Sequence, residues 1–263
     1  MATNLAISVQ QARPRESVAL VDLDVHGGDL GLFLDLRAAQ GLKHLSEDVS
    51  RLDETIIRST MLRHASGLYL LASGYEGFED VEPRPGSAMR VIGLLRSLHR
   101  HVVVDCGHVL EPAVKEAWES SDQVVVVTTL SLPVIRRTRR LLEALKVAHF
   151  PGSKIAVVVN RYGNDQKDLL VETENMLGVQ AAGLIPNDYG TANEAVNHGK
   201  PLTMMAPRTS LGRWFVQGAD RLIGDRTAAS GAASERGQDK KGSLLGRCFA
   251  SLGLEAKGKP SIV

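Results

Sequence analysis

The chain has 263 residues, 43% of them hydrophobic, and a formal net charge of +1. That is enough apolar material for one large core, and a near-zero charge argues against coating nucleic acid by bulk electrostatics. Two cysteines, Cys106 and Cys248, do not make a disulfide framework and point to a reducing cytoplasm. No run approaches the roughly 20 apolar residues that a membrane span needs. The amino terminus, MATNLAISVQQARPRES, lacks the basic stretch and apolar run of a secretory signal. A cytoplasmic location is therefore expected. With aromatics at 4%, the core must come from Val, Leu, Ile and Ala.

Short β-branched apolar runs recur along the chain at Val18–Val21, Leu68–Leu71, His101–Val104, Gln123–Thr128, Lys154–Val159 and Ala181–Ile185. Val102–Val104, Val124–Val127 and Val157–Val159 are continuous rather than alternating, the pattern of strands covered on both faces. Amphipathic stretches lie between them at Val91–Leu98, Glu111–Trp118 and Pro133–Lys146, the last with Ile135, Leu141, Leu142 and Leu145 on a rough stripe. Strands alternating with helices in this way predict a doubly wound α/β domain over residues 1–224: a mostly parallel sheet with helices on both faces. Residues 225–239 are Ala, Ser, Gly and charge, with too little apolar surface to offset ordering, and read as a flexible linker. A short segment, 240–263, follows.

In an open parallel sheet, ligands sit beyond the carboxyl ends of the strands, and four polar clusters fall at such ends. Asp22 and Asp24 leave the first run with a two-residue spacing that lets both point the same way, and Gly27-Gly28 permits a tight loop before Asp29. Solvated acids at a strand end would look the same. Asp105 closes His101–Val104, the Walker-B arrangement in which a carboxylate holds Mg²⁺, and Gly107 lets the backbone approach a phosphate. Asn160-Arg161 ends Ile155–Val159. An amide can pair with a base edge and a guanidinium can stack on it, although a polar turn is the plainer reading. The fourth cluster, Pro186-Asn187-Asp188-Tyr189, opens a strand–loop–helix.

The order and spacing of VALVDLDVHGGDLGLFLDL, VVVDCG, VVVNR and IPNDYGTANEAVNHGKPL resemble the MinD/ParA deviant-Walker ATPases. The last run most resembles the CpaE branch associated with pilus assembly. The similarity spans Met1 to Ile223. It implies a cytoplasmic ATPase that dimerises on ATP, hydrolyses it with Mg²⁺ and positions a pilus or secretion apparatus. Asp24 would stand at the γ-phosphate and orient the attacking water, with Asp22 supporting it. Asp105 would be the metal-binding acid. Asn160, Arg161, Pro186 and Asn187 would frame the adenine, Gly107 would adjoin phosphate, and the Gly27-Gly28 turn with Asp29 would form a nucleotide-sensing switch loop.

One departure stands out. The family's Gly-rich, lysine-bearing phosphate loop precedes its first helix, and the residues after Met1 look like that helix already. No GxxxxGK[ST] pattern occurs in the 263 residues. Truncation ahead of Met1 is the favoured explanation, and a nucleotide-free pseudo-ATPase scaffold the alternative. Loss of a central first strand would leave its neighbours unpaired.

Further along, Leu244, Leu245, Cys248, Phe249 and Leu252 share a helical stripe beside Lys240, Lys241 and Arg247. A short basic amphipathic helix of this kind can lie on an anionic membrane surface, and in placement it resembles the carboxyl-terminal targeting helix of MinD. Docking on its own domain or on a protein partner is the competing expectation. From Lys240 onward five bases face only Glu255, net +4, so the preceding residues carry −3 within the chain's +1. An acidic body makes nonspecific DNA binding of the ParA kind unlikely as an expectation, with Arg136, Arg137, Arg139 and Arg140 the one local exception. A division-site ATPase of the MinD kind is a further alternative, which shares the fold and differs in partners.

Overall fold

The structure, a computed structural model, describes residues 1–24, 27–47, 49–74, 84–108 and 110–223. In chain order the first elements are α1 (Ala2–Ala12), β1 (Val18–Asp22), α2 (Leu30–Phe33), α3 (Leu42–Glu47), α4 (Glu54–Thr60), β2 (Leu62–Arg63), β3 (Tyr69–Leu71), α5 (Ser87–Leu98), β4 (His101–Asp105) and α6 (Pro112–Ser120). Then come β5 (Val124–Thr128), α7 (Leu132–Val147), β6 (Ile155–Tyr162), α8 (Lys167–Leu177), β7 (Ala181–Pro186), α9 (Tyr189–Asn197), α10 (Leu202–Met205) and α11 (Ser210–Ile223). They form two compact units. One is Met1–Asp122 with Pro186–Ala219; the other is Gln123–Ile185 with the end of α11 from Asp220.

The first unit is built on a sheet of order β2-β3-β1-β4, in which β1 runs parallel to both β3 and β4 and the two-residue β2 runs antiparallel to β3. Every residue of β1 is buried, as a central strand requires. Side chains alternate across the pleat. Ala19, Val21 and Leu71 join Leu42, Leu45, Ile57, Val91, Ile92, Leu95 and Ala117 in one cluster, so α3, α4, α5 and α6 cover that face. Val18 and Leu20 point the other way. α1 packs on β1 and β4, and its buried Leu5, Ile7 and Val9 lie outside that cluster, so α1 covers the opposite face. The β1–β4 register pairs Val18 with His101 and Asp22 with Asp105, which brings two acids to one end of adjacent strands.

The second unit carries a sheet of order β5-β6-β7, with β5 parallel to β6 over five pairs. α7 packs on β5, and its Thr138 hydroxyl donates to the Thr128 hydroxyl at 2.9 Å. Val157–Val159 are buried, as their continuous apolar run predicts. The other two valine runs differ. Val102–Val104 are only half-buried, and Val127 is 39% exposed. The reason is pairing: among the described residues β4 and β5 each have one partner strand, and each ends its sheet. Strands with the composition of interior ones thus stand at edges, where backbone groups lack partners.

The six predicted strands and three predicted helices all appear, with ends shifted by up to four residues. The segment after Met1 forms α1. No helix among the described residues is long and apolar enough to cross a membrane. The linker 225–239 and the segment bearing Lys240, Lys241, Leu244, Leu245, Arg247, Phe249 and Leu252 lie outside the described residues.

Candidate functional site

Asp22, Asp24 and Asp105 stand where β1 and β4 end. Asp22 closes β1 with 1% exposure, and its two oxygens accept from the Asp24 and Leu30 amides at 3.2 and 3.3 Å. The chain leaves β1 under restraint, because the Leu23 amide donates to the Asp105 carbonyl at 2.9 Å. Asp24 then accepts the Gly27 amide at 3.0 Å, turning the backbone back toward the strand tip. Asp105 accepts the Gly107 amide at 3.1 Å. Together Asp22, Asp24, Gly27, Asp29, Leu30, Phe33 and Asp105 line a cleft of about 160 Å³.

Glycine is required at two points around it. A Cβ on Gly28 would fall 2.0 Å from the Ser73 hydroxyl and 2.8 Å from Asp22 Oδ2. Gly107 has φ +61°, and its Cβ would meet Asp24 Oδ2 at 2.7 Å. Both loops therefore press backbone against carboxylate, which only a residue without a side chain allows.

The electrostatics follow from burial. Loss of water pushes the Asp22 carboxyl up to about 7, with the charges of Asp105 and Asp24 adding to the shift and the Leu30 and Asp24 amides opposing it. Cys106 is pushed up to about 12 by burial and by Asp105, so its thiol is inert at neutral pH. Burial lowers the α-amino group of Met1, and the charge of Asp105 opposes that change. His108, itself 83% exposed, brings Nδ1 to 3.8 Å from Asp24 Oδ2.

Asp22 gives stability a pH dependence whose sign is fixed. The native state holds the Asp22 proton more tightly than the unfolded chain does. Its contribution is complete below about pH 4 and is lost as the pH rises through about 7, by up to about 4 kcal/mol. Asp22→Asn is expected to flatten the urea midpoint against pH across that window. An unchanged slope would mean that another group carries it.

The other sequence-predicted residues fall as follows. Asn160 and Arg161 lie near the end of β6 in the second unit. Arg161 has φ +57°, and its amide donates to Asn160 Oδ1 at 2.9 Å. A non-glycine residue in the left-handed region, held by its neighbour's side chain, is a strained placement of the kind found at ligand sites. Pro186 ends β7 and Asn187 follows it, both in the first unit. Two residues near the cleft escape the sequence reading. Ser73 sits just past the apolar run of β3 and obeys the same strand-end rule as Asp105. His108 is reached only through the turn that Gly107 makes.

The residues fit a bound cation of one type. Carboxylates paired at adjacent strand tips, as Asp22 and Asp105 are, offer the oxygen donors that a divalent ion takes. Among the described residues no group of three or more His, Cys, Asp or Glu converges to cage a metal. The site suits an ion like Mg²⁺, held by one carboxylate and completed by water and phosphate oxygens.

A parallel α/β fold with acids at the tips of adjacent strands is an arrangement that many ligand-binding proteins share. The comparisons place it more narrowly, although no family model matches the chain. The chain is 27% identical over 230 residues to a putative septum site-determining protein MinD of Nephroselmis olivacea, covering 85% of this chain and 82% of that one. Its fold superposes on a ParA family ATPase from Chlorobium tepidum with a TM-score of 0.76 and 26% identity, covering 83% and 91% of the two chains. MinD from Pyrococcus horikoshii, solved with Mg-ADP, matches at TM-score 0.71 and 20% identity over 88% and 91%. The homologues and structural neighbours of this chain are thus ATPases of the MinD/ParA family, and its fold is theirs.

Proposed function

We propose that this protein is an ATP-driven dimerising switch that positions a pilus or secretion apparatus, in the manner of the CpaE branch. The observation that carries the proposal is the carboxylate cleft. Asp24, tethered by the Gly27 amide and crowded by Gly107, stands where it can orient a water against a terminal phosphate. Asp105 would hold Mg²⁺, which neutralises developing phosphate charge when bound. Asp22, buried and bonded to the Leu30 amide, ties the strand tip to the loop bearing Asp29, so it can pass nucleotide state to that loop. Asn160, Arg161, Pro186 and Asn187 would frame the adenine.

The basic segment 240–263 would carry the dimer to an anionic membrane surface through Leu244, Leu245, Phe249 and Leu252, with Lys240, Lys241 and Arg247 at the headgroups. One such segment binds weakly, so two on a dimer gain avidity. The experiment grafts the strand and Gly-rich loop of a MinD relative onto the amino terminus and adds ATP. A dimer by light scattering that pellets with anionic vesicles is expected. Removal of residues 240–263 should abolish pelleting without abolishing the dimer. Unchanged pelleting would retire the membrane role, and a monomer at saturating ATP would retire the switch.

A further inference from the structure

The end of the first unit's sheet opposite the carboxylate cleft has a charge of its own. Residues 13–17, 63–68 and 96–101 lead into β1, β3 and β4, and they carry five arginines against one acid, Glu16. The whole chain is +1, so this edge is +4 where the remainder is −3. The strands start level with one another, for Val18 pairs with His101 and Ala19 with Tyr69. The His101 amide donates to the Ser17 carbonyl at 3.2 Å and the Arg100 amide to the Ser17 hydroxyl at 3.4 Å. In the sheet order β2-β3-β1-β4, Arg63 stands on β2, Arg15 before β1 and Arg100 before β4. Three arginines are thus spread over three strand spacings, about 14 Å.

Folding uses some of these charges and leaves others. Arg96 donates to the Ser120 carbonyl at 2.6 Å and to Asp122 at 3.4 Å, and Glu16 meets the His101 ring at 2.5 Å. Arg15, Arg63 and Arg100 are exposed, and among the described residues their guanidiniums have no hydrogen-bond or ion-pair partner. Arg63 is held in place all the same, 5.7 Å from the centroid of the Tyr69 ring. The ring of His99 lies 5.0 Å from that of Tyr69. Burial first, and the charge of Arg58 second, lower the His99 pKa, so His99 adds no charge at neutral pH. Like charges gathered along one edge repel one another, a cost that folding by itself has no reason to carry. None of the large exposed apolar side chains among the described residues falls in these three segments.

We propose that this edge of the first sheet, with Arg15, Arg63 and Arg100, binds an extended acidic segment of a partner protein. An extended chain sets side chains of one face about 7 Å apart, so three acids at alternate positions span about 13 Å, the breadth over which the arginines are spread. Each carboxylate can take the fork of a guanidinium. Such a segment is polar and disordered when free, and it asks for no apolar pocket. A membrane surface fits less well, because adsorption there draws on apolar side chains that enter the interface, and this edge exposes none of the large ones. Single-stranded nucleic acid would stack its bases on aromatic faces, and the Tyr69 ring is already taken by Arg63 and His99. A duplex reaching beyond the edge would meet the net-negative remainder of the chain.

The test uses the full chain at low ionic strength, where exposed charges are least screened. The probe is a fluorescent Thr-based peptide with Glu at three alternate positions. A peptide of equal composition with its three Glu adjacent, a DNA duplex and phosphatidylglycerol vesicles serve as comparisons. The alternating peptide is expected to bind at least about fivefold more tightly than the adjacent one, and R15E/R63E/R100E should lose at least about tenfold. A peptide with Lys in place of Glu should restore binding to that variant, which guards against a folding defect. Equal binding of the two peptides, an unaffected variant or a failed rescue would each overturn the proposal. DNA or vesicles that displace the peptide with the same arginine dependence would overturn it in favour of a phosphate-bearing surface.

Discussion

In the chain carrying a grafted phosphate loop, Asp24→Ala is expected to lower ATP hydrolysis by at least about a hundredfold while nucleotide affinity changes less than about threefold. The split follows from position. Asp24 sits beyond β1, lines the cleft and accepts the Gly27 amide. On the proposed reading, its loss would remove a group that acts on the attacking water and would leave Asp105 and the backbone near Gly107 to bind phosphate and metal. Solvated acids at a strand end would predict hydrolysis at the parental rate. His108, 3.8 Å from Asp24, is not needed for this outcome. A loss of affinity as large as the loss of rate would make Asp24 a binding residue instead.

Gly74→Ala is expected to destabilise the fold by about 3 kcal/mol, well beyond what conformational preference alone accounts for. Gly74 has φ +81°, and a Cβ there would lie 2.4 Å from both the Cα and the amide nitrogen of Gly41. The two glycines allow the start of α3 to press against the end of β3, where the Leu42 amide donates to the Ala72 carbonyl and the Lys43 amide to the Ser73 carbonyl at 2.9 and 3.1 Å. Backbone cannot rotate aside as a side chain can. Gly86 supplies the control, for it also has φ +81° but meets nothing within 4 Å. Gly86→Ala should cost only about 1 kcal/mol by urea titration. Equal losses at the two sites would show that the close approach contributes nothing.

The parallel framework is legible in the sequence because β-branched runs such as Val18–Val21 and Val157–Val159 carry their period unmistakably. The short elements are not. β2 has two residues and α2 four, too few to express any period, and both exist because neighbours already in place hold them. The acids Asp22, Asp24 and Asp105 announce themselves by ending apolar runs. What no run reveals is the β1–β4 register that sets Asp22 opposite Asp105, whose charge adds to the rise that burial causes, since register is a property of two strands. The half-exposure of Val102–Val104 and Val127 escapes for the same reason: composition reports what a strand is suited to, and pairing decides what covers it.

The central claim is that the acids at the tips of β1 and β4 form a Mg²⁺–nucleotide site once a phosphate loop adjoins them. Calorimetry of ATP with and without Mg²⁺ tests it on three proteins: the 263-residue chain, the grafted chain and its Asp105→Ala variant. The account predicts very weak binding by the first, because the loop's phosphate contacts dominate such sites. It predicts micromolar, Mg²⁺-dependent binding by the second, and loss of most of that dependence in the third. Micromolar affinity in the ungrafted chain, or Mg²⁺-dependent binding that ignores Asp105→Ala, would contradict it.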